Sequence, residues 1–240
     1  MPQLAQAREK ALKTNPWLAS APATLSATLL DRCSLRHLSP GEALHFAGDE
    51  PLGMYGVVEG ALKVYLSAES HGPYFVHMLT TGIWGGEGPA IVNGPRPVTL
   101  VAASPTEILS LPRTAMIDLA SEHPALWEFY TFHLMDHLSV SFRAISDFMI
   151  RDHKLRLISV LLRLANYRSA ASPGGIAGQT DPITIHMSQN ELAVAANVGR
   201  PTANRCLLAL RHAGLIDVAY GRVTLLDAAA LRLMLAANAE

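Results

Sequence analysis

Cysteine is nearly absent from this chain: Cys33 and Cys206 are the only two in 240 residues. Two thiols far apart cannot supply the four thiolates of an iron–sulfur cluster, and they offer no disulfide framework. A reducing, cytoplasmic setting is therefore expected. Charge is thin as well, at 16% of residues, and it nearly cancels to a net −1. No apolar run approaches the roughly 20 residues that cross a bilayer, so no membrane span is expected. The opening stretch MPQLAQAREKALKTNP is too polar for a signal peptide. A nucleophile–base pair, a phosphate-cradling glycine loop and a metalloenzyme motif are missing too, so an enzyme is not expected.

What the chain does have is apolar bulk. Half of its residues are hydrophobic, which marks a globular protein of one large core or two modest ones. The small net charge hides an asymmetry. Residues 1–150 carry 9 basic against 14 acidic side chains, whereas residues 151–240 carry 10 against 6. The C-terminal excess is small, but it has the sign that contact with phosphate requires.

In chain order, residues 1–14 read as a short helix ended by Asn15-Pro16, and 22–37 as another, with Leu25, Leu29, Leu30 and Cys33 on one side. From Leu38 the period shortens. Gly41, Gly48, Gly53, Gly56, Gly60, Gly72 and Gly82 punctuate short runs rich in Val, Tyr, Phe and Leu. Strands are expected at 55–58, 62–66, 75–79, 98–102 and 107–111, and turns at that interval indicate an antiparallel barrel or roll. A long helix should follow from about residue 123 to 151. Along it Met135, Leu138, Phe142, Ile145 and Met149 recur at spacings of 3, 4, 3 and 4, a coiled-coil seam that favours a homodimer. An amphipathic helix over 152–167 comes next, with a hinge near 150–152 before it and a loop at 169–180 after it.

The most informative stretch is MSQNELAVAANVGRPTANRCLLALRHAGLI, residues 187–216. Ser188 and Glu191 form a capping box, and Leu192, Ala195 and Ala196 give the helix after it one apolar face. Asn197-Val198-Gly199 breaks that helix, with Gly199 expected to take backbone angles closed to other residues. Pro201 suits the first turn of a second helix. The apolar side of that helix is Ala203, Leu207 and Leu210, with Leu215 beyond. Its other side carries Arg200, Thr202, Asn204, Arg205 and Arg211. Capping box, turn and polar set together describe a helix-turn-helix rather than a plain helical hairpin with a solvated face. Residues 217–226 read as a two-stranded wing turning at Tyr220-Gly221, and Asp227 caps a last helix. The DNA-binding set is Ser188, Arg200, Pro201, Thr202, Asn204, Arg205 and Arg222. Arg200, Arg205 and Asn204 suit base edges, Thr202 and Arg222 suit phosphate, and Arg211 reads as a solvated charge.

Glu191-Leu192-Ala193, Val198-Gly199-Arg200-Pro201-Thr202, Asn204-Arg205, Leu210 and Gly214-Leu215-Ile216 resemble the helix-turn-helix of the Crp-Fnr family of bacterial transcription regulators. Upstream, Leu38-x-x-Gly41, Phe46-x-Gly48-Asp49 and Tyr55-x-Val57-Val58-x-Gly60 resemble the cyclic-nucleotide-binding roll of the same family. The resemblance runs from about Asn15 onward. It implies an α+β protein in three parts: N-terminal helices and an antiparallel β-roll of double-stranded β-helix or jelly-roll type (1–122), a dimerisation helix (123–151) and a winged helix-turn-helix (152–240). It also implies a homodimer on an inverted-repeat operator in double-stranded DNA, with RNA polymerase as a further partner.

In that family a Gly-Glu segment, followed by an Arg and small residues, grips a cyclic nucleotide. The Glu takes the ribose hydroxyl, and the Arg and nearby amides take the cyclic phosphate. The resemblance implies Gly86, Glu87, Arg96, Pro97 and Val98 as effector-binding residues, with Ser141 from the long helix, and cyclic AMP or cyclic GMP as effector. The pattern departs at Gly85, at Gly88-Pro89 and at Pro97, which removes an amide donor. The plainer alternative is a degenerate roll in which Glu87 and Arg96 pair with each other or with solvent. His133 and His137, four apart, have a spacing that can ligate a metal, but no Cys or carboxylate completes a set, so no metal site is expected. Two other functions stay open: a nucleotide-binding regulatory subunit without DNA binding, and a haem-based gas-sensing regulator.

Overall fold

In the computed structural model, which describes residues 2–15, 18, 23–68, 71–165 and 182–237, α1 spans Pro2–Thr14 and α2 spans Ala23–Asp31. α2 buries Leu29 and Leu30, then stops. The expectation of helix to residue 37 fails here. Arg8 donates to both the Asp31 carboxylate and its backbone carbonyl at 2.9 Å, and the chain then runs extended as β1, Ser34–Leu38. β1 pairs antiparallel with a distant strand, Thr106–Pro112. Local periodicity cannot show that partner.

The strands that follow are β2 (Ala43–His45), β3 (Gly53–Glu59), β4 (Ala61–Ala68), β5 (His71–Thr80), β6 (Trp84–Gly85), β7 (Thr99–Ala102) and β8 (Thr106–Pro112). A short helix, α3 (Glu87–Val92), separates β6 from β7. Two four-stranded sheets result, ordered β1-β8-β3-β6 and β2-β7-β4-β5, which make the antiparallel roll. The five strands read from the sequence are all present. β2, β6 and α3 are too short to carry a readable period.

β3 shows how the roll is filled. Side chains alternate across a strand, so Met54 and Val58 join the cluster built on Leu29, Leu30 and Trp84, while Tyr55 and Val57 join Leu62, Leu100 and Ile108. Gly56 lies between them because a Cβ there would stand 2.2 Å from the Trp84 ring. α4 (Arg113–Glu122) and α5 (Ala125–Asp147) come after β8.

The expected end of α5 is residue 151. The helix stops at Asp147, and Phe148, Met149 and Ile150 each bond to the carbonyl three residues back, a tightened 3₁₀-type finish. Asp147 anchors that end, accepting from Ser159 Oγ at 2.5 Å and Arg163 Nε at 2.7 Å. Met149 therefore lies beyond the helix that was to carry it.

The chain divides into two compact units, Met1–His71 with Leu79–Leu138, and Gly72–Met78 with Ser139–Glu240. In the second, α6 (His153–Leu164) is capped by Asp152, whose side chain accepts from Leu155 N. α7 (Gln189–Ala195), α8 (Arg200–His212) and α9 (Ala228–Ala236) follow, with Asp227 capping α9. The wing strands β10 (Ile216–Ala219) and β11 (Arg222–Leu225) are joined by β9 (Ile183–Ile185), in the order β10-β11-β9. The sequence showed two of these strands; β9 is only three residues long. The loop expected at 169–180 lies outside the described residues. Among the described residues no helix is long and apolar enough to cross a membrane.

Candidate functional site

The helix-turn-helix is assembled by local chemistry. Ser188 Oγ accepts from Glu191 N at 3.1 Å, and Glu191 Oε2 accepts from Ser188 N at 2.7 Å, closing the capping box. The turn corrects one expectation. Gly199 has ordinary extended angles (φ −65, ψ 145) and serves as the N-cap of α8. The left-handed residue is Asn197, at φ 48, a conformation its short polar side chain tolerates. Arg156 on α6 steadies that turn by donating to the Asn197 carbonyl at 3.4 Å.

α8 buries Ala203, Leu207 and Leu210 at helical spacing. Arg200, Pro201 and Arg205 are exposed, and Thr202 is half-buried. Asn204 is also half-buried, and its Oδ1 is enclosed without a hydrogen-bond partner. Arg222 is exposed at the start of β11, beside the fully exposed Tyr220. Arg211 pairs with Asp217 at 3.6 Å on the surface. The Ser188 hydroxyl is occupied by its cap.

The roll presents a different kind of polar site. Glu87 is the first residue of α3 and is 2% exposed, while Arg96, in the loop before β7, is 5% exposed. Among the described residues no ion pair joins the two. Arg96 donates to Gly53 O at 2.7 Å and Gly86 O at 3.2 Å, and its guanidinium lies 5.6 Å from the Tyr55 ring centroid. Its Nε is buried without a hydrogen-bond partner. Gly86 sits at φ 94, and a Cβ there would meet Arg96 Nη1 at 2.6 Å, so only glycine lets the chain pass. Pro97 is exposed and Val98 half-buried. Ser141 is exposed on the part of α5 that belongs to the second unit.

Glu87 Oε1 lies 3.0 Å from His137 Nδ1, and Glu87 Oε2 lies 3.9 Å from His133 Nε2. Burial pushes the Glu87 carboxyl up, but the His137 hydrogen bond and the two imidazole charges outweigh it and hold it below the ordinary value. Burial pulls His137 down, and the Glu87 carboxylate overcomes this and raises it. His133 is lowered by burial and by the charge of His137. The expectation that no carboxylate completes a set with these histidines is overturned. Glu87 does so from 50 residues before His137, a distance over which no spacing rule operates. Tyr55 and His45 are further members of the site that sequence reasoning missed; His45 Nε2 lies 3.5 Å from Tyr55 Oη.

Along α5 and just past it, Met135, Leu138, Phe142, Ile145 and Met149 are between 40% and 74% exposed.

Two family models match the chain: the cyclic nucleotide-binding domain over residues 35–123, and the Crp-like helix-turn-helix domain over residues 155–234. The global nitrogen regulator of Synechococcus elongatus is 28% identical over 194 residues, covering 80% of this chain and 85% of that protein. A CRP/FNR-family transcriptional regulator from Thermus thermophilus has the same fold at TM-score 0.62 and 22% identity, covering 85% of this chain and 98% of that one. So does the c-di-GMP responsive global regulator CLP from Xanthomonas campestris, at TM-score 0.63 and 18% identity, over 85% of this chain and 99% of that one. A cyclic nucleotide-binding domain and a Crp-like helix-turn-helix on one chain define a transcription regulator of the Crp/FNR type. The chain belongs to the Crp-Fnr family.

Proposed function

We propose that the chain works as a homodimer that binds an inverted-repeat operator, with operator binding gated by an effector in the roll. The DNA reading rests on one observation above all. α8 buries its apolar side completely yet holds Arg200 and Arg205 out in solvent, with Arg222 exposed on the wing. A regulatory subunit that never met DNA would have no use for that face. Arg200 and Arg205 are five positions apart, on neighbouring faces, and each fork matches the two major-groove acceptors of guanine. Thr202 and Arg222 suit phosphate, where they position without specifying. Asn204 reaches a base only if its enclosed Oδ1 turns outward. The exposed seam on α5 supports the dimer, since apolar side chains in a row favour burial against a second copy. Two-fold symmetry then sets half-sites about one helical turn, roughly 34 Å, apart, and the family resemblance extends the partners to RNA polymerase.

A cyclic nucleotide, cyclic AMP or cyclic GMP, is the effector the roll suggests. Arg96 favours it, as a buried guanidinium with an unmatched Nε suited to a phosphate. Glu87 counts against it, because its carboxylate is engaged by His137 and must release that ring to reach a ribose hydroxyl. Selection from a random DNA pool, run with and without each cyclic nucleotide, tests the whole reading. A two-fold motif is expected, and enrichment of none under any condition removes DNA binding.

A further inference from the structure

We propose that Glu87, His133 and His137 form a binding site for one divalent first-row transition ion, in the class of Zn2+ or Fe2+. The three side chains come from two elements. Glu87 heads α3, and His133 and His137 lie four apart on α5, a spacing that puts both rings on one helix face. One ligand atom from each can be chosen so that all lie within 4.8 Å of one another. The carboxylate-to-imidazole separations are 3.0 and 3.9 Å. Ligands held about 2.0–2.2 Å from a tetrahedral ion stand roughly 3.3 Å apart, so an ion would draw this set, already within 4.8 Å, slightly together.

The surroundings point the same way. Glu87 is 2% exposed, and its Oε2 is buried with no hydrogen-bond partner. A desolvated carboxylate oxygen facing an imidazole at 3.9 Å is an unfilled acceptor. The two rings lie side by side, tilted 55° to one another with centroids 4.5 Å apart, and the Trp84 carbonyl, 2.8 Å from His133 Nε2, holds that ring beside the carboxylate. Loading exchanges that hydrogen bond for a metal bond. Two imidazoles and one carboxylate without a thiolate suit Zn2+, Fe2+ or Co2+ rather than Cu+, and leave coordination positions open for water or an exogenous ligand. Both cysteines lie outside the set.

The full-length protein, stripped with chelator and dialysed against Co2+ or Zn2+, tests the site. We expect one ion per chain, visible d–d absorption with Co2+, and at least tenfold weaker binding in His137→Asn and Glu87→Gln. His71→Asn and His186→Asn should bind as the wild type does. Circular dichroism checks that the variants fold. If they do not, X-ray absorption of the Zn2+-loaded wild type decides. A nitrogen and oxygen shell with imidazole scattering is expected, and a sulfur shell overturns the assignment. Absence of stoichiometric binding in the wild type, or binding unchanged in both ligand variants, also overturns it. Protein that binds no ion yet selects a two-fold operator loses this site and keeps the DNA-binding function.

Discussion

The arginine of the roll site and those of the winged helix are treated in opposite ways. In the roll, Arg96 is grasped by two backbone carbonyls and an aromatic face. On the winged helix, Arg200, Arg205 and Arg222 project into solvent, and among the described residues no hydrogen bond or ion pair engages them. A buried guanidinium belongs to the fold, because its removal strands the acceptors it satisfied. An exposed one contributes little to folding, so its use lies outside the chain. Burial thus separates polar groups that hold the structure from polar groups that are displayed.

The largest expected effect extends this contrast to apolar groups. Phe142 and Ile145 are each 60% exposed, and exposure of that size in large hydrophobics marks display as well. Replacing both with Glu should give monomers and abolish operator binding while each chain stays folded. Sedimentation measures the outcome, and a double variant that remains a dimer refutes the seam.

Next in size is a test of whether burial, rather than the unit, is the deciding property. Arg163 and Asp147 form a buried pair inside the second unit, and Arg163 also donates to Val76 O at 2.8 Å. Arg163→Met should destabilise that unit by about 3–5 kcal/mol, because it leaves a carboxylate buried with Ser159 alone. Urea unfolding reads this directly. A loss below about 1 kcal/mol would break the comparison.

The central contrast predicts a crossing pair of smaller effects. Arg96→Ala should lower stability by about 1–3 kcal/mol, since Gly53 O and Gly86 O lose their donor, and leave operator affinity measured without effector unchanged. Arg205→Ala should change stability by no more than about 0.5 kcal/mol. Its cost should appear instead as roughly 1–3 kcal/mol of operator affinity, with preference relaxed at one base pair per half-site. Arg222→Ala should weaken all sequences alike. Thermal melts and binding titrations on the wild type and these three variants settle whether the effects cross.

The same contrast explains what could be read from sequence. Ala203, Leu207 and Leu210 reveal α8 because an amphipathic helix writes its buried face into local spacing, and the capping box lies wholly within residues 188–191. The roll was legible as strands and turns, but its polar wiring was not. Whether Glu87 faces a ligand, Arg96 or His137 depends on how α3 and α5 pack, and their residues are 50 apart. The turn error is of another kind. Asn197 and Gly199 both tolerate left-handed angles, and composition alone favoured the glycine, whereas the backbone placed the strain on the asparagine. β1 was lost because SLRHL continues the apolar spacing of α2, and only its pairing with β8 makes it a strand.

The smallest effect concerns His45, a buried histidine on β2 whose neighbours are Tyr55, Arg96 and Asp49. Burial, reinforced by the Arg96 charge, pulls its pKa down to about 4 from an ordinary 6.5, with Asp49 opposing. The folded protein therefore keeps a neutral ring where the unfolded chain takes up a proton. Stability supported by the neutral ring is fully present above pH 6.5, falls between 6.5 and about 4, and changes no further below that. A tenfold change in proton affinity corresponds to about 1.36 kcal/mol, and residual screening by water reduces the total to on the order of 1–2 kcal/mol. His45→Gln keeps a polar group at the site without the titration. Its urea midpoint should fall less steeply than that of the wild type between pH 6.5 and 4. If the two curves run parallel through that range, His45 does not belong with the buried groups that hold the roll, and the comparison ends at Arg96.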